Sequence, residues 1–573
     1  MNVATSRHVR LEYDADGTIR FGPARRRTVE GIHVLELHGG PYDMARQHGA
    51  LLADRLGHGP LPFFARALER FEGPSAARSL RGRVRAALDR LRPSPSIAGL
   101  STWARAVAAG IADGGGRDEA EVLRALVMVD DGLAWAADVE RWARLPFAPG
   151  SPSPPSVGCT TAVAAGARTE RGRLLFAHNL DLFAVGRWDT DPVVAFHHPE
   201  EGLAYVGVTA AGIFGGGVSG MNAAGLTVGV HPHVGVRVQA SGEAVGLAGD
   251  RLLREARTVD EAIALLDRHA PRSGWTYVIA DVRRAVAYEV LPGARRFVEM
   301  TDGLLGCANL FQHPDLAAFE RGLHGAHVGQ NQRRQRQVWA KLRGEPGAFA
   351  PHTESSMIEL LADAVNPDTG RVEVLGPSLC RPATVQSVLF RPADQRLWVG
   401  RGPAPTCVGE YLGFDLKLRG LSGAPKRLTT REGRDTPRVR AAAAYARSWQ
   451  AWLEDTDAGA ASAAMNEAVT LAPEDTRLRS AAGWLALVTG DAARAETHFR
   501  ASVAHAPDAE RRAFARVGLA RALEVLGRAG EARRAQADAE AEAGPARARL
   551  QALARRSNDD SVFAVDPELH DAP

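Results

Sequence analysis

The stretch Ala148-Pro-Gly-Ser-Pro-Ser-Pro-Pro-Ser156 runs directly into Val157-Gly158-Cys159-Thr160-Thr161, and this junction separates two parts of the chain with different patterns. Proline and serine leave the backbone few ways to form helix or sheet, so the first stretch is predicted to be a linker. Helical spacing dominates before it, up to about Trp142, and short β runs separated by Gly and Asn follow it, up to about Gly402. Many strands with a few inserted helices predict an α+β layered fold.

The spacing of apolar residues predicts the individual elements. Alternation over Ile32–His38 predicts a half-buried strand, and apolar residues over Tyr42–Leu56 fall at helical spacing. A further helix is predicted from about Gly249 to His269. The strands predicted after the linker are Cys159–Ala165, Arg173–Ala177, Pro192–Phe196, Ala204–Thr209, Leu226–Val230, Tyr277–Asp281, Ala285–Val290, Val385–Arg391 and Leu397–Val399.

Composition limits the class of protein. A chain of 573 residues corresponds to two to four domains of about 150 residues. The 70 Lys and Arg residues nearly balance the 67 Asp and Glu residues, which removes the electrostatic argument for a nucleic-acid partner. No apolar run approaches about 18 residues and the start lacks an export signal, so a soluble cytoplasmic protein without a membrane partner is expected. Four cysteines without a C-x-x-C pair predict neither a disulfide scaffold nor structural zinc.

The last part of the chain, from about residue 431, is rich in Ala, Arg, Glu and Leu and contains a loose repeat. Leu471-Ala-Pro473 recurs 34 residues later as His505-Ala-Pro507. Paired helices with this period are typical of tetratricopeptide repeats. Residues 431–555 are therefore predicted to form tetratricopeptide-like helices, and residues 556–573 a disordered tail. Such helices either bind a protein partner or pack on the rest of the chain.

Cys159 is the candidate nucleophile, although a lone cysteine is more often a small buried apolar residue. It opens the β region immediately after the linker. Segments rich in Asn, Asp and His follow it along the chain, namely Ala177-His178-Asn179-Leu180-Asp181-Leu182, Gly220-Met221-Asn222-Ala223-Ala224-Gly225-Leu226 and Leu305-Gly-Cys-Ala308-Asn309-Leu-Phe-Gln-His313.

In this order, these segments resemble the penicillin acyltransferase-like family (acyl-coenzyme A:aminopenicillanate acyltransferase, or isopenicillin N acyltransferase, and bacterial relatives), which belongs to the N-terminal-nucleophile hydrolases. Gly40-Pro41-Tyr42-Asp43-Met44-Ala45-Arg46-Gln47-His48-Gly49 is similar to the family's Pro-Tyr-Glu-Met-Gly-x-Gln-x-Gly stretch. The resemblance spans roughly residues 30–410 and leaves the tetratricopeptide-like region outside it. It implies an α+β fold of the four-layer αββα type.

The resemblance also implies a proenzyme that cuts itself between Gly158 and Cys159. Residues 1–158 would become a separate, tightly associated chain, and residues 159–430 the nucleophile-bearing catalytic core. The new α-amino group of Cys159, with a pKa near ~8, would act as general base for its own thiol. The enzyme would form an acyl thioester on Cys159 and pass the acyl group to water or to an amine. No metal or cofactor is expected, with acyl-coenzyme A as a candidate acyl-donor substrate.

The same resemblance assigns roles to individual residues. Asp181 is expected to hold and orient the Cys159 amino group, because a charged acceptor fixes a charged donor. Asn309 is expected to donate its side-chain amide to the oxyanion of the tetrahedral intermediate. An arginine near the last strands of the family corresponds either to Arg381 or to Arg391.

Four further residues are candidates for pocket or oxyanion support. His178 stands where bile salt hydrolases carry Arg, and His231 stands where relatives often carry Asn. Asn179 lies beside His178 in the same motif. Asn222 lies in a Gly-x-Asn-x-x-Gly-Leu turn, where a structural role is favoured over a place in the pocket wall. His231 and His233 are a weak alternative pair of metal ligands.

Two questions about activity stay open at this level. Hydrolysis and acyl transfer share the acyl-enzyme, and the sequence does not separate them. The hypothesis from a different class is a catalytically silent, unprocessed scaffold that acts through residues 431–555. If the chain is instead the self-cleaving enzyme, deleting the residues after about 431 is expected to leave amide hydrolysis intact.

The aromatic candidates for binding an acyl or aryl group are Phe183, Trp188, Phe196 and Phe214.

Overall fold

The computed structural model describes residues 10–66, 95–143, 158–182, 184–234, 237–239, 242–320, 325–344, 350–417, 419–421, 426–453 and 457–542. The predicted linker at 148–156, Phe183 and the predicted disordered tail at 556–573 lie outside these stretches.

Within the described residues, the strands form two sheets. They are β1 (Glu12–Tyr13), β2 (Ile19–Phe21), β3 (Ala24–Val29), β4 (Ile32–Gly39), β5 (Gly158–Gly166), β6 (Gly172–Asp181), β7 (Pro192–Pro199), β8 (Tyr205–Ala210), β9 (Ser219–Asn222), β10 (Thr227–His233), β11 (Gly274–Ala280), β12 (Ala285–Leu291), β13 (Ala294–Glu299), β14 (Leu304–Cys307), β15 (Thr384–Arg391), β16 (Arg396–Gly400), β17 (Glu410–Asp415), β18 (Gly420–Leu421) and β19 (Arg427–Thr429).

The helices of the described stretches fall before, between and after the strands. They are α1 (Pro41–Leu51), α2 (Pro60–Ala65), α3 (Pro95–Ala98), α4 (Thr102–Gly115), α5 (Glu119–Ala143), α6 (Val245–Glu255), α7 (Val259–Asp267), α8 (Pro314–Ala317), α9 (Gly325–Arg343), α10 (Glu354–Leu361), α11 (Pro437–Leu453), α12 (Ala458–Leu471), α13 (Thr476–Val488), α14 (Ala492–His505), α15 (Ala509–Val525) and α16 (Ala529–Glu542). None of them combines the length and the apolarity needed to cross a lipid bilayer.

The first sheet has eleven strands in the order β1-β2-β3-β4-β7-β8-β9-β10-β11-β12-β13. The second sheet has the order β14-β5-β6-β15-β16-β17-β18, and β19 also pairs with β17. Neighbouring strands are antiparallel except β4 and β7, which are parallel. The strand that begins at Gly158 therefore lies inside the second sheet, between β14 and β6.

Apolar side chains bury both faces of the two sheets. Between the sheets, Phe196 of the first packs in one cluster with Phe176 and Phe390 of the second. Residues of α1, α4, α5 and α6 pack on the other face of the first sheet, and residues of α9 and α10 pack on the other face of the second. The predicted mixture of large sheets and helices is thereby confirmed at the level of fold class.

The helix predicted over Gly249–His269 is wrong as a single element. The chain forms α6 and α7, and the break lies at Ala256–Thr258. The Thr258 side chain accepts a hydrogen bond from the backbone N–H of Glu261 and so starts the second helix as its N-cap. Apolar spacing continues through the break because both helices bury the same kind of face, which is why periodicity alone missed it.

Strand β6 is longer than the predicted Arg173–Ala177 and continues to Asp181. It is paired on both sides, with β5 and with β15, and all residues from Leu174 to Asp181 are buried. Because a central strand can take polar residues when neighbouring groups satisfy them, the polar segment after Ala177 does not end the strand. The extension brings His178, Asn179 and Asp181 into the sheet.

The C-terminal region after residue 436 is helical, as predicted, in its described part. Helices α12 and α14 begin 34 residues apart, at Ala458 and Ala492. Phe499 of α14 lies against Gly483 and Gly518, where an added Cβ would come within 2.7 and 2.2 Å of its ring. These close approaches explain why small residues recur there. The tetratricopeptide assignment itself stays a prediction.

Candidate functional site

Strand register places the sequence motifs opposite each other. In the antiparallel pair β5–β6, Gly158 faces Asp181, Cys159 faces Leu180 and Thr161 faces His178. Two adjacent strands of one sheet therefore bring the motifs of Cys159 and Asp181 together, although these residues are 22 positions apart in the sequence.

Cys159 is held through its backbone. Its N–H donates to Oδ1 of Asn309 over 2.8 Å, and its carbonyl accepts from Nη1 of Arg334 over 2.9 Å. Nη2 of Arg334 also donates to Oδ1 of Asn309, over 2.7 Å. A guanidinium and a backbone N–H only donate, so the oxygen of the Asn309 amide must face them. Its nitrogen donates to the carbonyl of Pro232 over 3.0 Å.

Asp181 lies between two cationic side chains. Its Oδ1 accepts from the Thr384 hydroxyl over 2.7 Å, and its Oδ2 lies 3.8 Å from Nη1 of Arg334 and 3.7 Å from Nη1 of Arg381. All three charged side chains are at most 2% exposed. Burying a carboxylate is costly unless it has compensating partners, and the two arginines and the Thr384 hydroxyl surround this one.

Gly158 lies in a space that fits no side chain. A Cβ added there would lie 2.8 Å from Nη1 of Arg381, 3.2 Å from Nη2 of Arg334 and 3.2 Å from Oδ2 of Asp181. The charged groups therefore approach the backbone immediately before Cys159 as closely as a glycine permits.

Burial raises the pKa of the Cys159 thiol well above its ordinary value, and the negative charge of Asp181 adds to this effect. The positive charges of Arg334 and Arg381 oppose it without reversing it. The thiol of the continuous chain is therefore protonated at neutral pH. Chemistry at Cys159 requires a group that removes this proton.

His178 and His231 lie between the sheets and share one hydroxyl. Oγ1 of Thr161 lies 3.1 Å from Nδ1 of His178 and 2.7 Å from Nε2 of His231. One hydroxyl has one hydrogen, so at most one of these ring nitrogens accepts from it and at least one donates to it. Burial lowers the pKa of His178 to about 3 and that of His231 well below its usual range, so both rings are neutral. A Cβ at Gly229 would lie 2.3 Å from Nδ1 of His178.

Asn179 is directed away from Cys159. Its Nδ2 donates to the carbonyls of Leu361 and Leu379, and its Oδ1 accepts from the Ser387 hydroxyl. These bonds join β6 to the segment that follows α10 and to β15. The described partners of Asn179 are thus structural.

Asn222 closes a turn and the end of a helix at once. Its Oδ1 accepts from the N–H groups of Ala224 and Leu226, and its Nδ2 donates to the carbonyls of Leu253 and Ala256 at the end of α6. Its amide is fully used by these bonds, in agreement with the structural role favoured from the turn pattern.

Both ring nitrogens of His233 contact protein groups, which does not suit the alternative of a metal site shared with His231. Its Nδ1 lies 2.8 Å from Glu320, its Nε2 lies 2.7 Å from the Thr276 hydroxyl, and its ring stacks on Phe311. In the part of the chain that the structure describes, no three His, Cys, Asp or Glu side chains converge as a group that could hold a metal ion.

The structure distinguishes the two candidate arginines. Arg391 pairs with Glu354 and Asp394, whereas Arg381 lies beside Asp181 and Gly158. Sequence reasoning missed Arg334, which is 1% exposed. The sequence carries no usable signal for it, because residues 330–337 are polar at every position and only the structure shows which of them are buried, namely Gln330, Asn331, Arg334 and Gln337. A buried polar face indicates that the helix approaches a polar site.

The aromatic candidates are divided between two clusters. Trp188 and Phe214 share the large apolar cluster with Cys159, whereas Phe196 lies between the sheets. The cluster around Cys159 also contains Phe63 and Phe64, which come from the segment before the Gly158–Cys159 junction. Apolar side chains from both sides of the junction therefore belong to the same cluster as Cys159.

A comparison with known families finds a match to part of the chain. Residues 167–402 match the family described as acyl-coenzyme A:6-aminopenicillanic acid acyl-transferase. The matched region begins after Cys159 and contains Asp181, Asn309, Arg334 and Arg381. A search of curated proteins finds no match. The resemblance predicted from the motifs is confirmed: residues 167–402 are similar to the acyl-coenzyme A:6-aminopenicillanic acid acyl-transferase family.

Proposed function

We propose that the chain is a self-cleaving cysteine amidohydrolase or acyltransferase that forms an acyl thioester on Cys159. Its two sheets and the helices on their other faces are then the αββα sandwich of N-terminal-nucleophile hydrolases. The observation that carries the proposal is the setting of the Gly158–Cys159 bond, whose nitrogen is held by Asn309 beside Asp181, Arg334 and Arg381. The acyl-transferase family match supports the reaction class.

Self-cleavage starts with the thiol of Cys159. Its sulfur adds to the carbonyl carbon of Gly158, the bond from that carbon to the nitrogen of Cys159 breaks, and the thiol proton passes to the departing nitrogen. Water then hydrolyses the thioester, which leaves the Gly158 carboxylate, a free thiol and a free α-amino group. Throughout, Asn309 Oδ1 can accept a hydrogen bond from the same nitrogen, and Arg334 holds the Cys159 carbonyl.

The new α-amino group supplies the missing base. Its pKa near ~8 allows it to take the thiol proton at neutral pH, whereas the buried thiol would otherwise stay protonated. Asp181, held by Arg334 and Arg381, is the charged group that orients the amine.

The primary role that we propose for Asn309 is to accept a hydrogen bond from the Cys159 nitrogen. Its expected oxyanion role remains a prediction, and it would require Nδ2 to exchange the Pro232 carbonyl for the substrate oxygen.

In turnover, the activated thiol adds to the carbonyl of an amide or thioester substrate, the amine or thiol leaves, and an acyl thioester remains on Cys159. Water or an amine then takes the acyl group. Acyl-coenzyme A is proposed as an acyl donor because the matched family is described by that substrate. The apolar cluster containing Phe64, Trp188 and Phe214 favours an apolar acyl group.

The test is the intact mass of freshly purified protein under denaturing conditions. From 61.1 kDa, a cut at Gly158–Cys159 gives pieces of about 17 and about 44 kDa. Cys159→Ala should stay whole because the attacking thiol is gone. Cys307→Ala, which removes another buried thiol, is the matched control and should be cut.

If Cys159→Ala is still cut at the same bond, the mechanism is wrong. A folded wild-type chain that stays whole would favour the silent scaffold.

A further inference from the structure

The C-terminal helices α11–α16 form the tail, and the described chain before them forms the body. A segment of the body, Glu373–Arg381, links the tail to the candidate site. One end is held by α13 of the helical region, and the other end is Arg381, whose Nη1 lies 3.7 Å from Asp181. Its residues from Val374 to Arg381 are buried.

Asp475 binds the start of this segment through a divided carboxylate. Oδ1 accepts from the N–H groups of Arg477 and Leu478 and so caps α13. Oδ2 accepts from the N–H groups of Val374 and Leu375, over 3.0 and 3.2 Å. A single side chain thus fixes both the first turn of a tail helix and a strip of body backbone.

Arg477, in the first turn of α13, holds the same strip. Its Nη1 donates to the carbonyl of Leu375 and to Glu373, over 3.1 Å for the latter. A Cβ at Gly376 would lie 2.8 Å from this atom, so the backbone passes directly under the guanidinium. Val374 and Leu375 are members of the apolar cluster formed by the tail helices.

Farther along, the segment is held at several points before it reaches the site. The N–H groups of Leu379 and Cys380 donate to the carbonyl of Asp363, and the Leu379 carbonyl accepts from Asn179. Arg438 of α11 lies 3.7 Å from the Cys380 sulfur. The tail therefore touches the residue immediately before Arg381.

We propose that the tail is an internal clamp whose helix α13 holds Glu373–Leu375 of the same chain, and that Asp475 and Arg477 are positioning residues for Arg381. The role of Arg381 at Cys159 rests on the proposed function. The contacts between α13 and Glu373–Leu375 are independent of that function. The clamp reverses the expectation that deleting the region after residue 431 leaves the activity intact. It also means that Glu373–Leu375, rather than an external protein, occupies the start of α13.

Asp475→Asn tests the clamp with a residue that still suits the N-cap position of α13. Asparagine has one acceptor oxygen, which cannot serve both the N-cap bonds and the N–H groups of Val374 and Leu375. Asp491→Asn is the matched control, because Asp491 caps α14 through Arg494 and makes no described contact with the segment.

Two readouts are taken on full-length chains. Hydrogen exchange of the peptide over residues 376–384 should accelerate in Asp475→Asn and stay at the wild-type rate in Asp491→Asn. The self-cleavage rate, followed by mass, should fall about tenfold or more in Asp475→Asn and stay within about twofold in Asp491→Asn, since small misplacements of catalytic groups reduce rates steeply.

A cycle with Arg381→Ala separates positioning from general damage. If Asp475 acts through Arg381, Asp475→Asn should add less than about twofold to the cleavage defect of Arg381→Ala. Equal exchange in Asp475→Asn and Asp491→Asn overturns the clamp, and additive defects overturn its link to Arg381. A wild-type chain that is never cut contradicts the proposed function instead, and the exchange measurement still decides the clamp.

Discussion

Arg334 connects the groups around Cys159. It donates to the Cys159 carbonyl and to the Asn309 amide oxygen, and it lies within 3.8 Å of Asp181. Because one rigid guanidinium reaches all three, loss of this side chain would disturb the nucleophile, the amide and the carboxylate together. Sequence motifs had identified the other members of this group, whereas Arg334 lies on a helix with no motif of its own.

Arg334→Met should slow self-cleavage by about 10- to 100-fold. Each hydrogen bond to a charged group contributes roughly 1.5–3 kcal/mol, and 1.36 kcal/mol corresponds to a tenfold change in rate. Arg336→Met is the control on the same helix, because the Arg336 side chain is 64% exposed and its partner among the described residues is Asp368. Intact mass against time measures both. Equal rates for the two variants would remove Arg334 from the site.

At the scale of elements, helix α1 and strand β7 of the first sheet each carry a buried histidine, His48 and His197. Burial lowers the pKa of His48 to about 4 and that of His197 to about 3. The ring of His197 stacks on Tyr205, and neither of its nitrogens has a described hydrogen-bond partner. A phenyl ring should therefore fit this position at little cost.

His197→Phe should make the protein less sensitive to acid. Below pH ~6.5 an unfolded histidine binds a proton that the buried ring does not, so the free energy of unfolding falls by about 1.4 kcal/mol per pH unit until the folded pKa is reached. Removing the ring nitrogens of His197 removes this loss between pH ~6.5 and its folded pKa of about 3. Urea unfolding at pH 7 and pH 5 measures it, with the exposed His58→Phe as control. Parallel pH dependence in the two variants would contradict the prediction.

The tail helices depend on close contact around Phe499. Gly518→Ala places a methyl group 2.2 Å from its ring and should lower the free energy of unfolding by about 1–3 kcal/mol. Gly530→Ala, where nothing lies within 4 Å, should be neutral or slightly stabilising. Denaturant midpoints compare the two. A Gly518→Ala variant as stable as Gly530→Ala would show that the helices adjust at no cost.

At the scale of the whole molecule, the tail and the body share their apolar clusters. Val374 and Leu375 of the body belong to the tail cluster, and Ala446 of α11 belongs to the large cluster that contains Cys159. These shared contacts make the tail part of the folded unit that holds the site.

Removing residues 437–573 should abolish self-cleavage or solubility, because it exposes these clusters and releases the segment that ends at Arg381. A chain ending at Glu542 keeps every described helix and is the control, with self-cleavage expected at the wild-type rate. Soluble yield and intact mass check both chains. A soluble, fully cut chain lacking residues 437–573 would show that the tail is dispensable.

The sequence by itself determined the local features of this protein. Alternating and helical spacing predicted most strands and the helical tail, because side-chain periodicity follows directly from backbone geometry. The motifs around Cys159, Asp181 and Asn309 predicted a resemblance to the acyl-transferase family, and the match over residues 167–402 confirms it. The split between α6 and α7 and the full length of β6 were missed, because a cap and a doubly paired strand depend on neighbours.

Only the tertiary structure decided which distant groups meet. Strand register set Gly158 opposite Asp181, and the packing of α9 and of the segment before β15 brought Arg334 and Arg381 to the same place. It also decided that Arg381, not Arg391, stands at the site and that the tail holds Glu373–Leu375. Such pairings involve residues far apart in the chain, and their energies depend on burial and mutual distance, which no local pattern of residues contains.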